Sequence, residues 1–315
     1  MRFKPVALPR PPRAEVAVAA AESVADGKLL LQEALRRREA MAHELELIDA
    51  DVERLAIESI CGATDDTQEV ETYDGTRGVT RQFVNNHERP IGQLQWLDDL
   101  PQRFAGPGES PGDVTGVRWG SGGLIAHDLF ITAGHCFDNT GGGWVRPLRN
   151  GVTIAPSEVA TLMRINFIYQ VDGATGQTRP GEPFPVNALL EHRVGGLDFA
   201  IVRVGRNAAG QLPGEVYGVL PIASTDLVTG GATLCMIQHP SGRPKRIDAG
   251  PLLKNIGGKV EYNTLDTEGG SSGAPLLSTA GEFVGVHTNG GCTQFSGANY
   301  GVAINAIRTA SSLVN

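Results

Sequence analysis

Several common architectures depend on residues that this sequence scarcely supplies. Its 315 residues include four cysteines, Cys61, Cys136, Cys235 and Cys292, too few for a disulfide-dense scaffold. Three pairings exist if all four are oxidised, and none is required. There is no H-E-x-x-H and no paired C-x-x-C, so no metal site is expected. No apolar run approaches the roughly 20 residues that span a bilayer, so no membrane association is expected. Positive charge is also short: 27 Lys and Arg against 35 Asp and Glu leave a net charge of −8. That balance argues against broad nucleic-acid binding, which requires basic surface to displace counterions. The N-terminal "MRFKPVALPRPPRAEVAVAAAESVA" lacks the uninterrupted apolar core of about 7–15 residues that an export signal has. Glu15 and Glu22 bracket only "VAVAAA", so on sequence alone the chain reads as cytoplasmic.

Glycine and proline, by contrast, are plentiful at 41 and 19 residues, as a fold of short strands and many turns requires. A hydrophobic content of 41% with 20% charged residues fits a soluble globular protein. Composition changes near residue 60. From Leu31 to Ile60 there is no Gly or Pro, and Leu45, Ile48, Val52 and Leu55 recur at steps of three and four, on one helical face. Residues 1–58 are therefore expected to be helical, either as a docked segment or as a removable pro-segment. Beyond Cys61, "DLFITAG", "LDFAIVRV", "ATLCMIQ" and "EFVGVHT" read as short strands. "DNTGGGW", "VDGATGQTRPGEP" and "HPSGRP" are loop chemistry, and "INAIRTASSLV" is a short closing helix. The acidic "TDDTQEVETYD" lacks regular ligand spacing and reads as solvated loop. An all-β body with helical ends is expected.

One window has the material for nucleophilic chemistry. "TEGGSSGAPLL" holds adjacent serines at 271 and 272. Read as G-x-S-x-G it points to Ser271 on a strand-to-helix elbow, whose partners follow in the order Ser, acid, His. Read as G-x-S-G-x-P it points to Ser272. "APLLSTAGEFVGVHT" looks like two strands around a turn, with no helix to complete an elbow. A serine hydroxyl needs a base, and the base an orienting acid. His135 in "ITAGHC" and Asp198 in "GGLDFAIVRV" both precede Ser272 and flank apolar strands. Downstream of Ser271 stand only His287 and, between them, Glu282. Ser272 is the better nucleophile.

The windows "TAGHC", "LDFAIV" and "GGSSGAP", in that order, resemble the His, Asp and Ser motifs of trypsin-like (chymotrypsin-fold) serine proteases. The resemblance implies an all-β fold of two antiparallel barrels over residues 59–315, the first over about 59–205 and the second over about 206–315. It implies His135 as general base, Asp198 as its orienting acid and Ser272 as nucleophile, with the N–H groups of Gly270 and Ser272 as the oxyanion hole. Closer still, Thr267 five residues before Ser272 and His287 fifteen after it are similar to the specificity residues of glutamyl endopeptidases, which cleave after Glu. Thr288, Asn289 and Gly290 are then the edge that pairs with substrate backbone. "SICGATDDTQEV" from Ser59 looks like the mature start of those enzymes, and Glu58 before it offers a self-cleavage site. Implied are protein or peptide substrates, no cofactor, a monomer, and a family commonly exported. Asp266 beside Thr267 leaves a Lys/Arg preference open, and a fold retained without turnover is the rival from outside the enzymes. Ser271 stands where relatives activated by a new N-terminus carry Asp, and no cysteine in "VRWGSGGLI" is available to Cys136.

Overall fold

The computed structural model describes residues 59–138 and 144–314. The helical reading of residues 1–58 and the centre of "DNTGGGW" lie outside the described residues. Twelve strands build two closed antiparallel barrels of six. The first contains β1 (Ile91–Trp96), β2 (Arg118–Leu124), β3 (Leu129–Thr132), β4 (Met163–Phe167), β5 (Glu182–Arg193) and β6 (Phe199–Val204). They pair in the order β6-β3-β2-β1-β4-β5, and β5 returns to β6. The second contains β7 (Thr233–Gln238), β8 (Arg246–Ile256), β9 (Lys259–Tyr262), β10 (Pro275–Leu277), β11 (Phe283–Asn289) and β12 (Asn299–Ala303). Their order is β8-β7-β10-β11-β12-β9, closed by β9 pairing with β8. The two-barrel, all-β expectation holds.

The seam between the barrels explains why β3 and β6 are nearly all apolar. Side chains alternate across a strand. Phe130 of β3 and Ala200 and Val202 of β6 belong to the first barrel's core. Their neighbours Ile131, Phe199 and Ile201 belong to the cluster that fills the second barrel. Both faces are buried, so the sequence shows a continuous apolar run where a half-exposed strand would alternate. A polar residue just beyond such a strand is delivered to the cleft between the barrels. His135 follows β3 and Asp198 precedes β6.

The first barrel starts later than the sequence suggests. Residues 59–89 form a strap across the second barrel, where Gln68–Glu69 pair with Arg246 and Ile247 of β8. Val70, Tyr73, Val79 and Val84 are buried in the second barrel's core. The first barrel therefore begins at Ile91, because the strap's apolar residues are covered by the other barrel. Helix α1 (Arg81–His87) starts at Thr80, whose hydroxyl accepts the Phe83 N–H at 3.1 Å, as an N-cap should. The expected closing helix is α2 (Ile304–Ala310), which buries Ile304 and Ile307 on one face.

Candidate active site

Strand register brings His135 and Asp198 together. Thr132 of β3 stands opposite Ala200 of β6, so the antiparallel chains leave these two side chains facing each other beyond the last pair. Asp198, 6% exposed, accepts two hydrogen bonds from His135. Its Oδ1 takes the backbone N–H at 2.8 Å, and its Oδ2 meets Nδ1 at 2.5 Å. A carboxylate at Nδ1 keeps the ring proton there and leaves the Nε2 lone pair exposed. Nε2 lies 2.8 Å from the Ser272 Oγ. The three expected residues are thus brought together across both barrels, with Nε2 placed to receive the hydroxyl proton.

The two serines are both buried but have different partners. Ser271 is fully buried, and its Oγ accepts the Glu268 N–H at 2.9 Å. Its carbonyl takes the Ala274 N–H, also at 2.9 Å. It is a turn residue, fastening the loop whose next residue, Ser272, meets His135. Gly270 adopts φ +100°, in the region that favours glycine. A Cβ there would stand 2.6 Å from the His239 carbonyl oxygen.

A brace from the first barrel steadies this loop. Ser121 of β2 donates its hydroxyl to the Gly270 carbonyl at 2.7 Å and accepts the His239 N–H at 2.9 Å. Its own N–H reaches the Ser272 carbonyl at 2.9 Å, and its carbonyl takes the Thr132 hydroxyl at 2.7 Å. A lone hydroxyl among the glycines of "WGSGGLI" was the available signal for Ser121. His239 itself is buried, and its ring pKa falls to about 3, through burial first and the Lys245 charge second.

Thr267 and His287 both meet β12, through Asn299 and Gly301 respectively. His287 of β11 is opposite Gly301 and fully buried. The Tyr262 hydroxyl lies 2.5 Å from its Nδ1, while its Nε2 is buried without a hydrogen-bond partner. Burial, then the charge of nearby His135, lowers the His287 pKa to about 3, with Asp198 and the Tyr300 backbone opposing. Thr288 and Asn289 line a cavity of about 70 Å³ that also touches Asp198 and Gly196. Gly290 follows them, buried at the strand's end.

The Thr267 hydroxyl is engaged by the strap. It accepts the Ser59 N–H and donates to the Ser59 carbonyl, both at 3.2 Å. Asn299, opposite Tyr262 on β12, organises this junction. Its Nδ2 donates to the Ser59 and Leu265 carbonyls at 2.9 Å and to Thr267 Oγ1 at 3.2 Å. Its Oδ1 accepts the Ser59 hydroxyl at 2.7 Å and the Gly291 N–H at 3.0 Å. A disulfide joins Cys61 to Cys292, fixing the strap beside these contacts; Cys136 and Cys235 are buried thiols outside it. Asp266 holds the strap too. Its carboxylate accepts the backbone N–H groups of Cys61 and Asp66, each at 2.7 Å. Asn299 and Tyr262 carried no signal in the sequence, since an isolated Asn or Tyr at a strand end is commonplace.

Several known proteins are similar to parts of this chain. A stretch of 108 residues is 38% identical to the secreted RxLR effector protein 73 of Plasmopara viticola, covering 30% of this chain. The chain spans a quarter of that relative's length. Among solved structures, a Glu endopeptidase in complex with MPD aligns with a TM-score of 0.48 at 17% identity, over 80% of this chain and 99% of the other. A serine endoprotease from Yersinia pestis aligns with a TM-score of 0.46 at 15% identity, over 73% and 63% of the two chains. The model of the trypsin-like peptidase domain matches residues 114–286, a span that includes His135, Asp198 and Ser272 and more than half of the sequence. The chain belongs to the trypsin-like peptidase domain family.

Proposed function

We propose that this chain is a serine endopeptidase that forms an acyl-enzyme on Ser272. The continuous line from Asp198 through His135 to the Ser272 Oγ, at 2.5 and 2.8 Å, carries the reading. His135 removes the hydroxyl proton as Ser272 attacks the peptide carbonyl, then returns it to the leaving amine. Asp198 holds the imidazole and stabilises its charged form. The amides of Gly270 and Ser272 receive the developing oxyanion, a contribution of about 3–4 kcal/mol for such a donor. Water then releases the acyl group without a cofactor.

Glutamate is the preferred residue on the acyl side, with Asp weaker. The supporting observation is the buried, unpartnered Nε2 of His287, since a donor left unsatisfied in the interior is costly unless a ligand accepts from it. A substrate carboxylate would satisfy it, and the negative charge would raise the ring's pKa. The Asp266 carboxylate is bound to two amides of the strap, which weighs against a pocket for Lys or Arg. An intact triad weighs against a silent protease-fold module. A peptide library should show cleavage after Glu, lost at least tenfold in His287→Ala. Cleavage after Lys or Arg, or an unaltered Glu preference in that variant, would remove the pocket assignment.

The same reading makes Glu58–Ser59 a self-cleavage site. Cutting there would free an amine at Ser59, whose nitrogen lies 3.2 Å from Thr267 Oγ1, and so add a positive charge beside the pocket. Incubated protein should yield a chain beginning at Ser59. Full activity with Met1 intact would contradict the pro-segment.

A further inference from the structure

We propose that Arg243 is a positioning residue that couples the strap to the loop carrying Gly270 and Ser272, so that the charge on Asp65 sets the rate of turnover. This rests on the serine endopeptidase reading above and adds a residue to it. Between Thr267 and Pro275 the sequence has one charged side chain, Glu268. Gly269 and Gly270 follow it, with no side chain to restrain the peptide whose N–H is to face the oxyanion. That peptide is held from both sides. On one side the Gly270 carbonyl takes the Ser121 hydroxyl. On the other, the Glu268 N–H donates to Ser271 Oγ at 2.9 Å, and the Glu268 carbonyl accepts the Ser271 N–H at 2.8 Å. The Glu268 carboxylate then reaches out of the loop. Its Oε1 meets Arg243 Nη2 at 2.7 Å, and its Oε2 accepts the Ser241 hydroxyl.

Arg243 closes a tight turn that backs Gly270. The Gly242 N–H meets the His239 carbonyl at 3.1 Å, and the Arg243 N–H meets the Pro240 carbonyl at 2.9 Å. Ser241 adopts φ +50°, a conformation that a residue other than glycine keeps only where its neighbours fix it. A Cβ on Gly270 would stand 2.6 Å from the His239 carbonyl oxygen and 3.1 Å from the Gly242 nitrogen, so the turn and the loop are in contact. Arg243 Nε donates to the Pro240 carbonyl at 3.2 Å. The same Nη2 that meets Glu268 lies 3.1 Å from Asp65 Oδ2 on the strap. Asp65 is itself fixed, since its Oδ1 accepts the Thr67 N–H at 2.9 Å and the Thr67 hydroxyl at 2.6 Å. One cationic nitrogen thus joins a carboxylate of the strap to a carboxylate of the loop.

The sign of the Asp65 effect follows from this bridge. With the guanidinium present, Asp65 anchors it and so helps to hold Glu268. Without the guanidinium, two like charges face each other and Asp65 pushes Glu268 away, and the Gly269–Gly270 peptide goes with it. All three side chains are partly exposed, so water and salt screen the effect without abolishing it. A merely structural contact has no such reversal: losing Asp65 would be harmful or neutral whatever stood at position 243.

Two measurements on the full chain decide it. With the library peptide that is cleaved fastest, Arg243→Met should lower kcat roughly three- to tenfold, the scale of two partly exposed charge pairs, with KM nearly unchanged, and Arg243→Lys should restore part of the loss. Asp65→Asn should lower kcat about twofold in the parent and raise it in the Arg243→Met background. Glu69→Gln, which breaks the strap's pair with Arg246, is the control and should leave kcat as in the parent. Hydrogen exchange read by mass spectrometry follows the loop without any substrate. Residues 267–273 should exchange faster in Arg243→Met and slower again when Asp65→Asn is added, with β11 unaltered throughout. A fall in kcat by the same factor for Asp65→Asn in both backgrounds overturns the proposal, as does unchanged loop exchange in Arg243→Met. A parent chain that cleaves no peptide refutes the endopeptidase reading instead, and the exchange data still decide the coupling.

Discussion

Replacing Ser121 with alanine removes a single oxygen atom, yet it takes a buried hydrogen bond from each of two interior backbone groups. The Gly270 carbonyl loses a 2.7 Å donor and the His239 N–H loses a 2.9 Å acceptor. Both contacts are buried, and the tight loop gives water no simple replacement. The His239 N–H left unsatisfied costs about 1–3 kcal/mol and the lost bond to Gly270 about 0.5–1.5 kcal/mol, so a loss of about 1.5–4.5 kcal/mol is expected, a large fraction of a typical domain's stability. The same bonds position the loop that carries Ser272. The backbone bond from Ser121 N–H to the Ser272 carbonyl survives, so Ser272 remains near His135 while the Gly270 end of the loop loosens. A drop in kcat of roughly 10- to 100-fold with little change in KM follows, short of the effect of deleting an oxyanion donor outright. Urea unfolding and steady-state kinetics on the same preparation test both halves. Thr132→Val is the control, because it removes one bond to the Ser121 carbonyl and leaves the Ser121 hydroxyl bonds in place; it should destabilise by about 1 kcal/mol. Stability within 0.5 kcal/mol of wild type (about the scatter of neutral surface changes), with kcat within about twofold, would refute the reasoning.

Two further outcomes follow. The Cys61–Cys292 bridge spans 231 residues of sequence, and the chain-entropy relation gives at most about 5.5 kcal/mol for a loop of that length. The double variant Cys61→Ser, Cys292→Ser should therefore unfold at clearly lower urea, and a midpoint indistinguishable from wild type would contradict a structural role for the bridge. Stability should also fall in acid because of His239 and His287, each lowered from 6.5 to about 3. The unfolded chain takes up these protons near pH 6.5 and the folded chain does not until about pH 3, so stability declines as pH falls through that window. In His239→Gln the decline should be shallower by about 1.4 kcal/mol per pH unit, measured by urea unfolding at pH 4.5 and 6. Parallel slopes for the two proteins would show that His239 already charges when folded.

The sequence was most legible where chemistry and local structure coincide. "TAGHC" and "LDFAIV" were readable because their strands are buried on both faces, and an apolar run ending in a His or an Asp is conspicuous. "GGSSGAP" was readable because the loop needs small residues. What escaped notice depends on distant pairings. Ser121 acts on Gly270, 149 residues away, and Asn299 grips Ser59 at a separation of 240; Asn299 shows no local pattern, and the lone hydroxyl among glycines at Ser121 does not say what it reaches. The strap was misassigned for the same reason, as the two-residue strand Gln68–Glu69 has no periodicity to read. The cysteine pairing stayed open because four thiols allow three arrangements, and only folding brings Cys61 beside Cys292.

The most direct test is to treat the full chain, and a chain beginning at Ser59, with a fluorophosphonate probe and to map the adduct by mass spectrometry. The account predicts one covalent adduct, on Ser272, lost in both Ser272→Ala and His135→Ala. An adduct on Ser271, or none in either chain, would contradict it.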